Sequence, residues 1–161
     1  MKETSEHLRK LPIDAIEESV DATPAVACGE DELLLVLQDL AKAVDEETYI
    51  PQTPTADNPA LSDDYVFNTS DENMILKDLS KENFVAKVRD VSKGAEKRKK
   101  MGYPQEYLYV FKYPCKLMRR DAEESGVSSE NVLIYIKEKK KKIPDEKVFV
   151  VSFHKNRPKK R

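Results

Sequence analysis

One histidine and several basic clusters carry the chemistry that this sequence offers. His154 lies near the C-terminus, and Lys155 and Arg157 follow it closely. An imidazole beside cations is what metal-free cleavage of RNA requires, because one group moves protons while the cations stabilise the phosphorane. No second catalytic group is evident from the sequence, and Glu138 and Glu106 are the nearest candidates. The alternative interpretation of His154 is a single surface histidine at the end of a strand.

The basic clusters are the stronger signal, and they predict binding of RNA or DNA without strong sequence preference. Lysine and arginine neutralise phosphates, and aromatic rings stack on unpaired bases. The predicted nucleic-acid-binding residues are Lys97, Arg98, Lys99, Lys100, Arg119, Arg120, Lys155, Arg157, Lys159 and Lys160. The rings predicted to stack are those of Tyr103, Tyr107, Tyr109 and Tyr113. The alternative is that the tyrosine row packs the sheet and that the lysines at 139–142 only keep a loop soluble.

The charges divide the chain into two halves. Residues 1–75 hold 18 acidic and 4 basic side chains, whereas residues 76–161 hold 12 acidic and 24 basic ones. The formal net charge of -2 hides this division. Such an asymmetry predicts a half that faces anions and an acidic half that covers or regulates it. Two ordinary solvated surfaces are the alternative.

The acidic half contains one well-marked helix, over residues 30–47. Acidic side chains occupy its first turn, where the exposed amides favour negative charge. Its apolar stripe consists of Leu33, Leu37, Leu40 and Val44. This stripe packs within the chain or, in an alternative function as an interaction or inhibitor protein, docks into a partner's groove. A shorter helix is predicted over residues 13–20, after Pro12.

Three segments are expected along the chain. Residues 1–47 form the acidic helical region, residues 48–75 a Pro-rich connector that ends in short strands, and residues 76–161 a basic domain. The basic domain begins with a predicted helix, for which Ser80 has the chemistry of an N-cap, with Leu79 and Phe84 at the positions of a hydrophobic staple. A glycine, Gly94 or Gly102, ends this helix.

An antiparallel meander is predicted after that helix, which makes the fold α+β. Its strands are expected over residues 107–113, 132–138 and 148–154, with Pro114 marking an edge or a bulge. On the last strand Phe149, Val151 and Phe153 are predicted to face the core. A helix followed by an antiparallel meander resembles the arrangement in small toxin-type ribonucleases, and this likeness of fold carries no motif with it.

Several other classes of function are not indicated. The two histidines and two cysteines lack the spacing of a zinc site, and the four glycines form no phosphate-binding loop. We therefore predict no metal and no cofactor. No apolar run approaches the roughly 20 residues that span a bilayer. The first residues also lack the apolar segment of a signal peptide, so we expect an intracellular protein with free thiols and no membrane partner.

Overall fold

The computed structural model describes residues 8–10, 24–56, 58–141 and 147–156. Across these residues it shows the expected α+β fold, with an antiparallel sheet and four helices. The strands are β1 (Leu8–Lys10), β2 (Ala25–Val26), β3 (Phe84–Arg89), β4 (Tyr107–Met118), β5 (Ser129–Lys141) and β6 (Lys147–Lys155). The helices are α1 (Glu30–Asp45), α2 (Thr69–Asp78), α3 (Lys93–Lys100) and α4 (Ala122–Ser125). The helix predicted at 13–20 lies outside the described residues.

The sheet is built around β4. Its strand order is β2-β3-β4-β5-β6, and β1 also pairs with β4, so the predicted meander of three strands is confirmed. One edge of β4 pairs with β5, while the other pairs first with β3 and then with β1. The buried Asn83 side chain lies between those two strands and donates to the Lys112 carbonyl oxygen at 3.1 Å. Pro114 falls in the same interval, where neither β1 nor β3 pairs with β4.

The core lies between the two long helices and one face of the sheet, which we call the inner face. Leu33, Leu40 and Val44 of α1 are buried there, and Leu37 packs against the same cluster. Phe111 of β4, fully buried, belongs to this core. The apolar stripe of α1 therefore packs within the chain, which removes it from the surface that docking into a partner would need.

Acidic side chains of α1 contact the basic half through ion pairs. Glu32 lies 2.6 Å from the Lys87 ammonium group, and Asp39 lies 3.1 Å from that of Lys140. The predicted connector also contributes to the core, because its residues Leu61, Tyr65 and Phe67 are buried there. All three predicted segments thus contribute to the described structure.

The helix predicted from Ser80 is wrong. Ser80 does cap a turn, reciprocally with the Asn83 side chain, but the turn is a single 3-10 turn, and Phe84 begins β3. The segment from Phe84 contains β-branched residues, which favour a strand. Pairing with β4 then stabilises the strand over the predicted helix. A helix starts only at Lys93, and Gly102, with φ of +97°, follows its end.

The strands predicted at the end of the connector are also wrong, because α2 occupies that position. Asn68 accepts a hydrogen bond from the Asp71 amide at 3.0 Å, and the Asp71 side chain accepts one from the Asn68 amide at 3.0 Å. This reciprocal cap satisfies two amides that a helix start would leave without partners. The apolar residues Ile75 and Leu76 then become buried.

The predicted inward face of the last strand is wrong in part. Val148, Val150 and Phe153 are buried, whereas Val151 is 41% exposed and Phe149 is half-buried. The cause is a bulge: Lys137 pairs with residue 152 but Glu138 pairs with residue 150, so Val151 is an extra residue in β6. One extra residue reverses the side-chain alternation of a strand.

Candidate nucleic-acid interface

The predicted nucleic-acid-binding cations form two separate groups. Those at 97–100 close α3, beside the start of β4, whereas Arg119 and Arg120 follow the last residue of β4. Lys155 joins the second group, because it and Arg119 both contact Glu130. Since β4 has 12 residues, the groups are roughly 35 Å apart. Arg157, Lys159 and Lys160 lie outside the described residues.

The group at the end of α3 is partly used in holding the structure together. Arg98 makes two hydrogen bonds to Glu106, at 2.5 and 2.9 Å. Lys139 of β5 lies 2.6 Å from Asp90 and 3.1 Å from Glu106. Hydrogen bonds from Arg98 and then Lys139 hold the pKa of the Glu106 carboxyl below its usual value. Lys99 donates to a glutamine side chain at 2.9 Å.

Two cations in this group remain on the outside of α3. Lys97 and Lys100 are exposed. Among the described residues, neither ammonium group takes part in a hydrogen bond or an ion pair. They are therefore suitable controls for any electrostatic binding to the rest of the molecule.

The second group is occupied by acidic and carbonyl partners of the same chain. Arg119 binds Asp121 at 2.6 and 2.7 Å and Glu130 at 2.8 Å. Lys155 lies 2.9 Å from Glu130, and Arg120 donates to a backbone carbonyl oxygen at 2.5 Å. These cations therefore stabilise the turn after β4 and the end of β6.

A third arrangement lies on the other face of the sheet, which we call the outer face. Tyr135 of β5 pairs directly with His154 of β6, and their ring centroids are 5.5 Å apart, with planes inclined by 34°. The Lys137 ammonium group lies 5.4 Å from the centroid of the Tyr135 ring, and Lys137 pairs with Ser152. All four side chains are half-buried. We call Tyr135, Lys137, Ser152 and His154 the outer-face cluster.

His154 has a defined orientation within this cluster. Its Nδ1 atom lies 3.0 Å from the Lys155 carbonyl oxygen. Because a carbonyl oxygen can only accept, Nδ1 carries a proton in this contact, and Nε2 bears the lone pair of the neutral ring.

The two carboxylates considered as catalytic partners of His154 lie elsewhere. Glu138 is on the inner face, on the opposite side of the sheet from His154. Glu106 is held by Arg98 and Lys139. The sequence therefore pointed to the histidine but not to its neighbours, Tyr135 and Lys137. The alternation of residues 132–137 contains the signal, because Tyr135 and Lys137 stand two positions apart and share one face of the strand.

The tyrosine row of β4 packs the sheet. Tyr109 donates to Glu32 at 2.5 Å, and Tyr113 donates to Asp78 at 2.8 Å, both on the helix side. Burial, followed by these hydrogen bonds, raises the pKa of both phenols. Tyr109 and Tyr113 therefore pack between the sheet and the helices, whereas Tyr103 is 38% exposed.

Neither protein-family models nor curated proteins nor solved structures compared with this chain match it. Within the described ranges, no helix is long and apolar enough to cross a membrane. The same ranges contain no group of three histidine, cysteine or acidic residues that could hold a metal ion. Both cysteines are free thiols, and burial raises the pKa of Cys115 to about 12.

Proposed function

We propose that the protein binds single-stranded nucleic acid on the outer face of its sheet, through the outer-face cluster. The observation that supports this is the tilted ring pair of Tyr135 and His154, with the Lys137 ammonium group 5.4 Å from the centroid of the Tyr135 ring. Aromatic rings on a sheet surface stack on unpaired bases, and a neighbouring lysine neutralises phosphate. The basic half of the chain adds a general attraction for the phosphate backbone.

Fluorescence anisotropy with labelled single-stranded RNA and DNA tests this proposal on the full chain. Tyr135→Leu removes the ring, and we expect it to weaken binding about 10-fold, because stacking contributes roughly 1–3 kcal/mol per base. Tyr135→Phe keeps the ring and should bind almost as wild type. Lys97→Gln and Lys100→Gln on α3 are the charge controls. The proposal is wrong if these controls lose affinity while Tyr135→Leu does not.

A second candidate function is metal-independent cleavage of the bound RNA, and the neighbourhood of His154 favours it. In this mechanism Nε2 of His154 takes the proton of a ribose 2'-hydroxyl, and the 2'-oxygen then attacks phosphorus. The Tyr135 hydroxyl gives a proton to the departing 5'-oxygen, and Lys137 stabilises the phosphorane. The products are a 2',3'-cyclic phosphate and a 5'-hydroxyl end.

Cleavage and binding are separable by experiment. In the presence of a chelator, wild type should cleave RNA and bind but not cleave DNA, which lacks the 2'-hydroxyl. Tyr135→Phe should retain binding and lose about 100-fold in cleavage rate, the usual contribution of a proton-transfer group. His154→Ala should lose at least as much. Cleavage that survives His154→Ala, in a variant whose circular dichroism matches wild type, would reject the nuclease but not the binding function.

A further inference from the structure

A cavity of about 440 Å³ lies on the inner side of the molecule, between α1, residues 103–109 and the end of β5. This volume is within the range of small-molecule sites. Carboxyl groups and aromatic rings are among the side chains that line the cavity. They belong to Glu32, Asp39, Glu106, Glu138, Tyr103 and Tyr107. None of these residues belongs to the outer-face cluster, so the cavity is a separate candidate site.

Three of the four carboxyl groups already have cationic partners. Glu32 lies 2.6 Å from Lys87, and Asp39 lies 3.1 Å from Lys140. Glu106 is held by the ion pairs with Arg98 and Lys139 described above. Their negative charges are balanced without a ligand. These three carboxylates are therefore not the groups that would bind a further cation.

Glu138 is different from the other three. Its side chain lines the cavity, the residue is only 2% exposed, and among the described residues no hydrogen bond or ion pair reaches its carboxyl group. Burial, and then the nearby Asp39 carboxylate, raise the pKa of Glu138 to about 8, while Lys140 opposes the rise. A carboxyl group at a cavity wall that has no partner among the described residues is suited to a ligand that donates hydrogen bonds to it.

We infer that this cavity binds a small organic cation, with its ammonium group against the Glu138 carboxyl and its carbon chain against Tyr103 and Tyr107. Tyr103 and Tyr107 line the cavity, and aromatic side chains offer apolar surface on which a carbon chain can pack. Arg98 and Lys140 also line the cavity, but each is already paired with a carboxylate, so neither is a ready partner for an anionic ligand. A primary alkyl amine is the simplest ligand with the required chemistry.

Binding should depend on pH because the ammonium group pairs with ionised Glu138. The charged and titratable groups around that carboxyl are Asp39 and Glu32 of α1, Tyr109 of β4, Lys140 of β5, and the Arg98 and Glu106 pair at the rim. Because the pKa of Glu138 is about 8, an amine that binds at lower pH must displace the proton of the Glu138 carboxyl group. The affinity at pH 8 should therefore exceed that at pH 6 by about 50-fold.

Isothermal titration calorimetry on the full chain, with butylamine and putrescine as probes and 1-butanol as the neutral match, tests this inference. Glu138→Gln keeps the size and uncharged state of the buried group, so this variant should fold and lose at least 10-fold in amine affinity together with the pH dependence. Glu124→Gln, at an exposed position on α4, is the matched control and should behave as wild type.

Three results would overturn the inference. The first is that neither amine binds at millimolar concentration at pH 8. The second is that butanol and butylamine bind equally well. The third is that a folded Glu138→Gln variant binds the amines with unchanged affinity. The outcome is independent of the proposed nucleic-acid function, because Tyr135→Leu changes the opposite face of the sheet. Chemical-shift changes in the amide spectrum provide a second readout if the heat of binding is small.

Discussion

The two faces of the sheet use polar side chains in different ways. On the inner face, hydroxyl and carboxyl groups are joined across elements, as in the contact of Tyr109 with Glu32 and that of Tyr113 with Asp78. On the outer face, the cluster consists of Tyr135, Lys137, Ser152 and His154, and the Tyr135 and His154 rings are 5.5 Å apart. The inner pairs attach helices to the sheet, whereas the outer cluster presents rings and a cation at a half-exposed surface.

This difference shows why the charge division of the sequence was an incomplete guide to function. Many of the basic side chains are paired with acidic ones and stabilise the fold, including those of Arg98, Arg119 and Lys155. Lys137 contributes to a surface because of the strand face that it occupies. Position in the sheet, more than local density of charge, separates structural cations from candidate binding cations.

The largest expected effect concerns Glu138 and depends on pH. The native state retains the Glu138 proton up to about pH 8, whereas the ordinary pKa is 4.5. Its contribution to stability is therefore complete below about 4.5 and is lost as the pH rises through about 8. Glu138→Gln removes this titration, so between pH 4 and 9 it should gain on wild type by roughly 4–5 kcal/mol. Urea unfolding across this range measures the difference, and parallel curves would contradict it.

Neighbouring residues of β5 should show the contrast between the faces in stability. Ile136 is fully buried on the inner face, and Lys137 follows it on the outer face. Ile136→Ala should lower the free energy of unfolding by about 3–4 kcal/mol, because it leaves a cavity in the core. Lys137→Ala should change it by no more than about 0.5 kcal/mol. Chemical denaturation of both variants checks this, and similar losses would show that the outer face is also structural.

The Glu106 network should contribute less than the core. Glu106→Gln weakens the contacts with Arg98 and Lys139, and we expect a loss of about 2 kcal/mol at pH 7. Arg98 holds the pKa of Glu106 below its usual value, so this stabilisation is present above 4.5 and disappears as the pH falls. Thermal unfolding at pH 7 and pH 3 measures the change. Asp121→Asn, in an exposed pair, is the control and should lose less.

The smallest expected effect is in the salt dependence of nucleic-acid binding. Lys137→Gln should reduce the slope of log affinity against log salt by about 0.7, the value for one phosphate contact on a single strand. Lys97→Gln should leave the slope unchanged. Anisotropy titrations at several salt concentrations provide both slopes. An equal reduction in the two variants would indicate diffuse attraction rather than a site on the outer face.

The sequence was informative where one local pattern agreed with the surrounding fold. The helix over residues 30–47 has a wide apolar stripe and an acidic first turn, and it forms as α1 with nearly the expected bounds. The β4–β5–β6 meander follows from runs of β-branched and aromatic residues. Each of these three strands extends beyond at least one of its predicted ends, because pairing with a neighbour continues past the apolar residues.

The errors occurred where two local structures suited the same residues. Ser80 caps a turn in either outcome, and only the unpaired edge of β4 makes a strand from Phe84 favourable. The helix α2 depends on the reciprocal cap of Asn68 and Asp71. Serine, aspartate and asparagine are also common in turns, so this cap is difficult to recognise in the sequence. The bulge at Val151 has no marker in a run of apolar residues, so the inward face of β6 was not predictable.

By itself, the sequence determined that the chain folds as α+β, that α1 is acidic and amphipathic, and that three apolar runs become strands. These properties follow from residue type and period, which act over a few neighbouring positions. The tertiary structure alone decided which cations are paired, that Glu138 lines a cavity, and that Tyr135 and Lys137 join His154. Those facts depend on strand register and on contacts between distant residues, and a single extra residue in β6 is sufficient to change them.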